Sequence, residues 1–337
     1  MSSIEFRKPI ITSDDAVAIS KQFSQEQVNR AYYAGGVPNV TFIVEFVSGN
    51  HIALRVGNLG YTRKEHLAFE LDILSYLELS EFKWSPRLVP LLDGSGWIGS
   101  WREFPVIATK VIPGVTGDNT PTTPQLCFEI GKAIGEMRLS LAKYGGVIPA
   151  DEDFWSRTER LLAELPTFST ELSWNIIPSV VTGAYESAKK IIQTTFCSDE
   201  VVHTDVWQPN VLVLDGHLSG IIDFDDLSVG PGILDLAAAI GEFGYDRESD
   251  MLIVQNVIAL VQGFNKTIDP KNYEERIIFP LIEASYCSWF ACNAVHRVTF
   301  EESEIYYRRI NKLQSSPFRE QLDKQLLGVI KNAQTSL

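Results

Sequence analysis

A chain of 337 residues with 45% apolar and 11% aromatic side chains can bury a core for two domains or one large two-lobed one, and is too hydrophobic to stay disordered. Its 43 acidic against 29 basic residues give a formal charge of −14, a field that repels nucleic acid and anionic membranes and suits a cationic small molecule. The opening MSSIEFRKPIITSDD lacks the apolar run of a signal peptide, and MLIVQNVIALVQGF, broken by amides, is too short to cross a bilayer, so a soluble cytoplasmic protein without a membrane partner is expected. Cys127, Cys197, Cys287 and Cys292 are scattered without a CxxC pair, which predicts reduced buried thiols and no zinc site.

In chain order, Ser13 is placed to cap a short helix over DDAVAISKQF. GGVPNVTFIVEF and HIALRV read as two strands joined by a Ser-Gly-Asn turn at 48–50. A helix follows over RKEHLAFELDILSYL, with Leu67, Leu71 and Leu74 at helical spacing, then strands around GSGWIG and FPVIATKVI that stop at Pro113-Gly114. Beyond that point the period becomes helical in PQLCFEIGKAIGEMRLSLAKY, WSRTERLLAEL, PSVVTGAYESAKKIIQTTF, PGILDLAAAIGEF, MLIVQNVIALVQGF, RIIFPLIEASYCSWFACNAVHR and the last 30 residues. The reading is α+β, with residues 1–112 as a small antiparallel β-sheet lobe carrying one or two helices and residues 113–337 as a larger, mainly helical lobe.

One stretch interrupts the helices: VVHTDVWQPNVLVLDGHLSGIIDFDD, residues 201–226. Asp215-Gly216 between VLVL and SGII specifies a type I′ hairpin, because both central residues tolerate positive φ. The hairpin draws Asp205 and Asn210, before its first strand, towards Asp223, at the end of its second. Carboxylate and amide oxygens are hard ligands that suit Mg²⁺ or Mn²⁺, and a further carboxylate free of metal accepts a proton from a hydroxyl. Phosphoryl transfer needs that set.

HTDVWQPN fits H-x-D-x-x-x-x-N, IIDFDD fits the D-F-[GDE] metal motif that follows it, and PGILDLA lies downstream. Together they resemble the aminoglycoside phosphotransferase and choline kinase group of the protein-kinase-like superfamily, over roughly residues 30–240, with a lean towards the homoserine-kinase-like branch. The resemblance implies a two-lobed protein-kinase-like fold, ATP and Mg²⁺ (or Mn²⁺) as cofactors, and a small hydroxyl compound as phosphate acceptor. It makes Asp205 the catalytic base, Asn210 and Asp223 metal ligands, His203 a buried organiser of the loop, and Asp235 a hydrogen-bonding support. It places Gly35, Gly36, Asn39 and Thr41 in a loop over the nucleotide phosphates and Lys110, Val111 and Ile112 at a backbone hinge for adenine. Arg55 stands where the superfamily usually has a phosphate-gripping lysine, with Glu70 as its ion-pair partner, and Met137 stands where relatives commonly carry a histidine. Asp205, Asn210 and Asp223 are expected to converge at the foot of a cleft between the lobes.

The helices after Asp235 would wall the acceptor pocket. Residues 201–337 hold 19 acidic against 11 basic side chains, which suits an amine-bearing alcohol such as homoserine, an amino alcohol or an aminoglycoside. Trp207 inside the catalytic loop, with Asp225 and Asp226 just past the metal aspartate, are candidate acceptor contacts; Asp225 and Asp226 read equally as a second metal site or a solvated turn. Arg308-Arg309 reads as a solvated helix face. Two alternatives stand beside the small-molecule kinase: a stress-response type protein serine/threonine kinase, and an inactive nucleotide-binding module.

Overall fold

The computed structural model describes residues 9–36, 39–59, 62–150, 152–169, 178–195, 198–246, 249, 251–296, 300–313 and 316–335. The chain divides into two compact units, one running through Pro113 and including Gly146–Pro149, the other comprising Gly114–Gly145 and the chain from Ala150 onward.

In the first unit, α1 (Ser13–Ser20) starts at the residue expected to cap it, one residue earlier than read from the sequence. Thr12, not Ser13, closes a capping box with Asp15, each taking the other's backbone N–H. Then come β1 (Val28–Gly35), β2 (Val40–Phe46), β3 (His51–Val56), α2 (Lys64–Leu79), β4 (Gly99–Trp101) and β5 (Phe104–Lys110). The strands form one antiparallel sheet in the order β1-β2-β3-β5-β4. β2 alternates, burying Val40, Phe42, Val44 and Phe46, while β3 buries Ile52, Leu54 and Val56. These residues pack with Ala16, Ile19 and Phe23 into one core, so Arg55 must lie on the opposite face of the sheet from Leu54. The turn at 48–50 is present, with Gly49 at φ 91. GSGWIG is mostly turn, and its strand begins only at Gly99.

The second unit begins with β6 (Val115–Thr116), α3 (Pro124–Leu141), α4 (Phe154–Ser169), α5 (Pro178–Gln193) and β7 (Asp199–Val202). The expected hairpin is β8 (Val211–Leu214) and β9 (His217–Ile221), with Asp215 at φ 52 and Gly216 at φ 80, the signs a type I′ turn demands. β6 extends the hairpin to three strands, and β10 (Ser228–Pro231) pairs with β7. α6 (Leu234–Phe243), α7 (Val254–Phe264), α8 (Ile278–His296), α9 (Phe300–Leu313) and α10 (Ser316–Thr335) complete the unit. Every residue of α6 is buried, which makes it the central helix. α3 and α7 approach so closely that a Cβ on Gly131 or Gly263 would lie 2.0 Å from a carbonyl oxygen of the other helix. Met137 is fully buried on α3.

Candidate active site

The loop between β7 and β8 holds Asp205, and Asp235 and His203 fix its shape. Thr204 is left-handed at φ 66, a conformation that costs a β-branched residue. Asp235, at the start of α6, compensates by accepting the N–H groups of His203 and Thr204 at 2.9 and 2.8 Å. Burial pushes the Asp235 carboxyl up to about 6, with the two amide hydrogen bonds opposing the shift.

His203 is fully buried against Phe224, edge to face at 4.5 Å between ring centroids. Its Nδ1 accepts the Asp205 N–H at 3.3 Å and its Nε2 donates to the Ile222 carbonyl at 3.1 Å, so the ring joins the residue bearing the expected base to the residue preceding Asp223. Burial lowers its pKa to about 4 and keeps it neutral. That geometry makes His203 an organiser of the loop.

Asn210 sits on the single 3₁₀ turn before β8. Its Nδ2 donates to the Asp205 carboxylate at 2.6 Å and to the Asp205 carbonyl at 3.1 Å, while its own carbonyl accepts from Ile222 N–H at 2.9 Å. Asp223 follows at φ 68 and ψ 66, left-handed and exposed. The Asp205 carboxyl is raised well above the usual carboxylate range, first by desolvation and then by the charges of Asp226, Asp223 and Asp225, against the lowering bond from Asn210. Hydrogen bonds thus join Asp205 to Asn210, and the charge of Asp223 acts on Asp205. Their oxygens suit a hard cation that keeps water or phosphate as its other ligands. With Asn210 Nδ2 turned to Asp205, Asn210 Oδ1 and the Asp223 carboxylate are the donors that would hold it.

The two aspartates after Asp223 differ. Asp226 is buried and its carboxylate is engaged by Arg157 of α4, whose second nitrogen donates to the Asp226 carbonyl at 3.2 Å. Thr204 Oγ1 donates to the same carbonyl at 2.8 Å. Asp226 is therefore a brace between α4 and the β7–β8 loop, and the expected ammonium or second-metal contact does not fit a carboxylate already paired with a guanidinium. Asp225 is half-buried.

Asp205 and half-buried Trp207 line a recess with Glu242, Tyr286, Trp289 and Tyr306. Glu242 lies seven residues after Asp235 on α6, the same face two turns along. Arg309 corrects the solvated-face reading: it is 4% exposed, its guanidinium stands over the Tyr286 ring at 5.2 Å, and it donates to the Tyr286 hydroxyl at 3.2 Å. Sequence reasoning missed Thr204, Arg157 and Glu242. Only Glu242 carries a local signal, the helical spacing from Asp235.

In the first unit, Arg55 on β3 is ion-paired with Glu70 on α2, both largely buried. Gly35 and Gly36 have φ of 113 and 104, and a Cβ on Gly36 would meet the Asn39 carbonyl at 2.8 Å, so that turn requires glycine. Val37 and Pro38 of GGVPNVT lie outside the described residues. Asn39 is buried, with its Oδ1 accepting from Asn58 N–H at 2.9 Å and Thr62 Oγ1 at 3.0 Å, so its side chain fastens the loop rather than reaching outward. Thr41 opposes Arg55 across β2 and β3. Of the expected hinge donors, Lys110 N–H bonds Arg87 O at 2.8 Å and Val111 N–H approaches His51 O at 3.4 Å. Those bonds engage the two N–H groups within the first unit.

Residues 21–267 match the phosphotransferase enzyme family, and the chain belongs to that family. A homoserine kinase of Neisseria meningitidis serogroup B is 24% identical over 264 residues, 76% of this chain and 79% of the relative. A hydroxylysine kinase of Bos taurus is 22% identical over 220 residues, 61% of this chain and 57% of its own. Among solved structures, an amicoumacin kinase in complex with AMP-PNP, Ca²⁺ and Ami aligns with a TM-score of 0.65 at 16% identity, covering 92% of each chain. The chain is a small-molecule kinase with a protein-kinase-like fold. No helix among the described residues is long and apolar enough to cross a membrane.

Proposed function

We propose that this kinase moves the γ-phosphate of ATP, in the presence of Mg²⁺ or Mn²⁺, to a hydroxyl of a small amine-bearing acceptor. The observation that carries the reading is the bond from Asn210 Nδ2 to the Asp205 carboxylate at 2.6 Å, with the charges of Asp226, Asp223 and Asp225 acting on the same carboxylate. A divalent cation on Asn210 Oδ1 and Asp223 would offset that surplus and neutralise the phosphates. Asp205 would orient the acceptor hydroxyl and take its proton; the bond from Asn210 fixes which way the carboxylate faces. Arg55, held by Glu70, would face the nucleotide phosphates as a fork where a lysine offers a point charge. Gly35, Gly36 and Thr41 would line the phosphate loop.

The recess supports an ammonium on the acceptor. Its two charged lining residues, Asp205 and Glu242, are both carboxylates, and Trp207, Tyr286, Trp289 and Tyr306 supply aromatic faces. Homoserine and hydroxylysine, named for two relatives, both pair a hydroxyl with an ammonium. Phosphoryl transfer by Asp223→Ala tests the reading: activity is expected to vanish while the circular dichroism and melting curve stay native. Retained turnover would move the metal site elsewhere.

A further inference from the structure

Arg309 occupies a position that an arginine seldom takes without a task. It sits on the buried stripe of α9, three residues after Tyr306 and next to Ile310, and all three are nearly inaccessible. Its Nη1 donates to the Tyr286 hydroxyl at 3.2 Å and lies 3.9 Å from the Glu242 carboxylate. The Tyr286 hydroxyl donates onward to the Gly241 carbonyl at 2.8 Å, and Tyr306 reaches Glu242 Oε1 at 3.4 Å. Gly241 admits this arrangement, since a Cβ there would stand 3.1 Å from the Tyr286 hydroxyl. Gln208, in the catalytic loop, donates to the Glu242 carbonyl at 2.6 Å, so the same corner of α6 is tied to the segment that carries Asp205.

We propose that Arg309 is a positioning residue for the acceptor: it fixes Glu242 and Tyr286, the carboxylate and the aromatic face that line the recess with Asp205. This rests on the reading of that recess as the acceptor site. The guanidinium acts in two ways. It places a positive charge 3.9 Å from the Glu242 carboxylate, and it clamps the Tyr286 ring by stacking and by the hydroxyl bond. Arg309 is not among the residues that line the recess; it acts through Glu242 and Tyr286.

Two physical effects predict opposite outcomes on its removal. If Arg309 merely competed with the acceptor for Glu242, its loss would strengthen ammonium binding and lower the acceptor KM. If it positions, Glu242 and Tyr286 lose their fixed places and the acceptor KM rises. The 3.9 Å separation is too long for a hydrogen bond, whereas the bond to Tyr286 is well formed, so positioning dominates.

The test is steady-state kinetics on the full chain, first finding with wild type which amine-bearing alcohol stimulates ADP release, then measuring Arg309→Met, Arg309→Lys and Tyr286→Phe. Arg309→Met is expected to raise the acceptor KM by roughly tenfold or more while the nucleotide KM stays within about twofold. Arg309→Lys should recover part of the loss, and Tyr286→Phe should show a smaller rise in the same direction. A lower acceptor KM in Arg309→Met, or melting points that fall with both KM values unchanged in all three variants, would overturn the proposal. If Arg309→Met does not fold, Arg309→Lys and Tyr286→Phe decide it alone. Wild type that phosphorylates no amine-bearing alcohol would refute the acceptor reading itself, an outcome distinct from failure of the Arg309 inference.

Discussion

The Asp235 carboxylate accepts the backbone N–H of Thr204 at 2.8 Å, and Thr204 stands at φ 66 immediately before Asp205. One buried acid therefore holds the strained residue that aims the expected base. Its other oxygen holds His203 N–H, so two buried titratable groups share one loop.

Their titrations oppose each other. Burial lowers His203 from 6.5 to about 4, so the fold loses stability as pH falls from about 6.5 to 4, where the unfolded chain takes up the proton first. Burial raises Asp235 from 3.8 to about 6, so its folded form takes up the proton first and the fold gains stability as pH falls through the overlapping window. Wild type should show a shallow acid dependence there. Asp235→Asn removes only the second contribution, and its deficit relative to wild type should widen by about 3 kcal/mol between pH 7 and pH 4. Urea unfolding at several pH values measures this, and parallel curves for the two proteins would contradict it.

Arg157 and Asp226 form the brace between α4 and the β7–β8 loop. Arg157→Met strands a buried carboxylate and should cost about 2–4 kcal/mol of stability, together with much of the turnover. Arg157→Met combined with Asp226→Asn should be milder than the sum of the single changes, because neither partner is left charged and alone. Additive losses in the double-mutant cycle would mean the pair does not act as a unit.

Arg55 and Glu70 join β3 to α2 in the first unit. Glu70→Ala should cost about 3 kcal/mol and raise the nucleotide KM more than the acceptor KM. Arg55→Lys keeps the charge but loses the fork, so partial nucleotide binding is expected. Nucleotide titration by fluorescence or calorimetry separates these outcomes, and an unchanged nucleotide affinity in Glu70→Ala would remove the pair from the nucleotide site.

What could be read from the sequence follows from how local each feature is. The β8–β9 hairpin was legible because Asp215-Gly216 dictates a turn and the apolar runs beside it are short. The helices were legible from their period. β1 escaped because VNRAYYAG is an edge strand with little burial and no alternation of apolar and polar residues, and β7 and β10 escaped because four residues carry little pattern. In the site, His203, Asp205, Asn210, Asp223 and Asp235 stood in an ordered motif. The commitment of Asp226 to Arg157, 69 residues away, and the burial of Arg309 against Tyr286, 23 residues away, are tertiary facts with no local signature.

The most direct test of the central claim is ADP release from Mg²⁺–ATP across homoserine, hydroxylysine, amino alcohols and aminoglycosides, with wild type beside Asp205→Ala. Wild type is expected to be stimulated by at least one of these acceptors, and Asp205→Ala to lose roughly two to four orders of magnitude in kcat while still binding nucleotide. Equal stimulated turnover in the two proteins would contradict the assignment of Asp205 as the base and the acceptor site built around it.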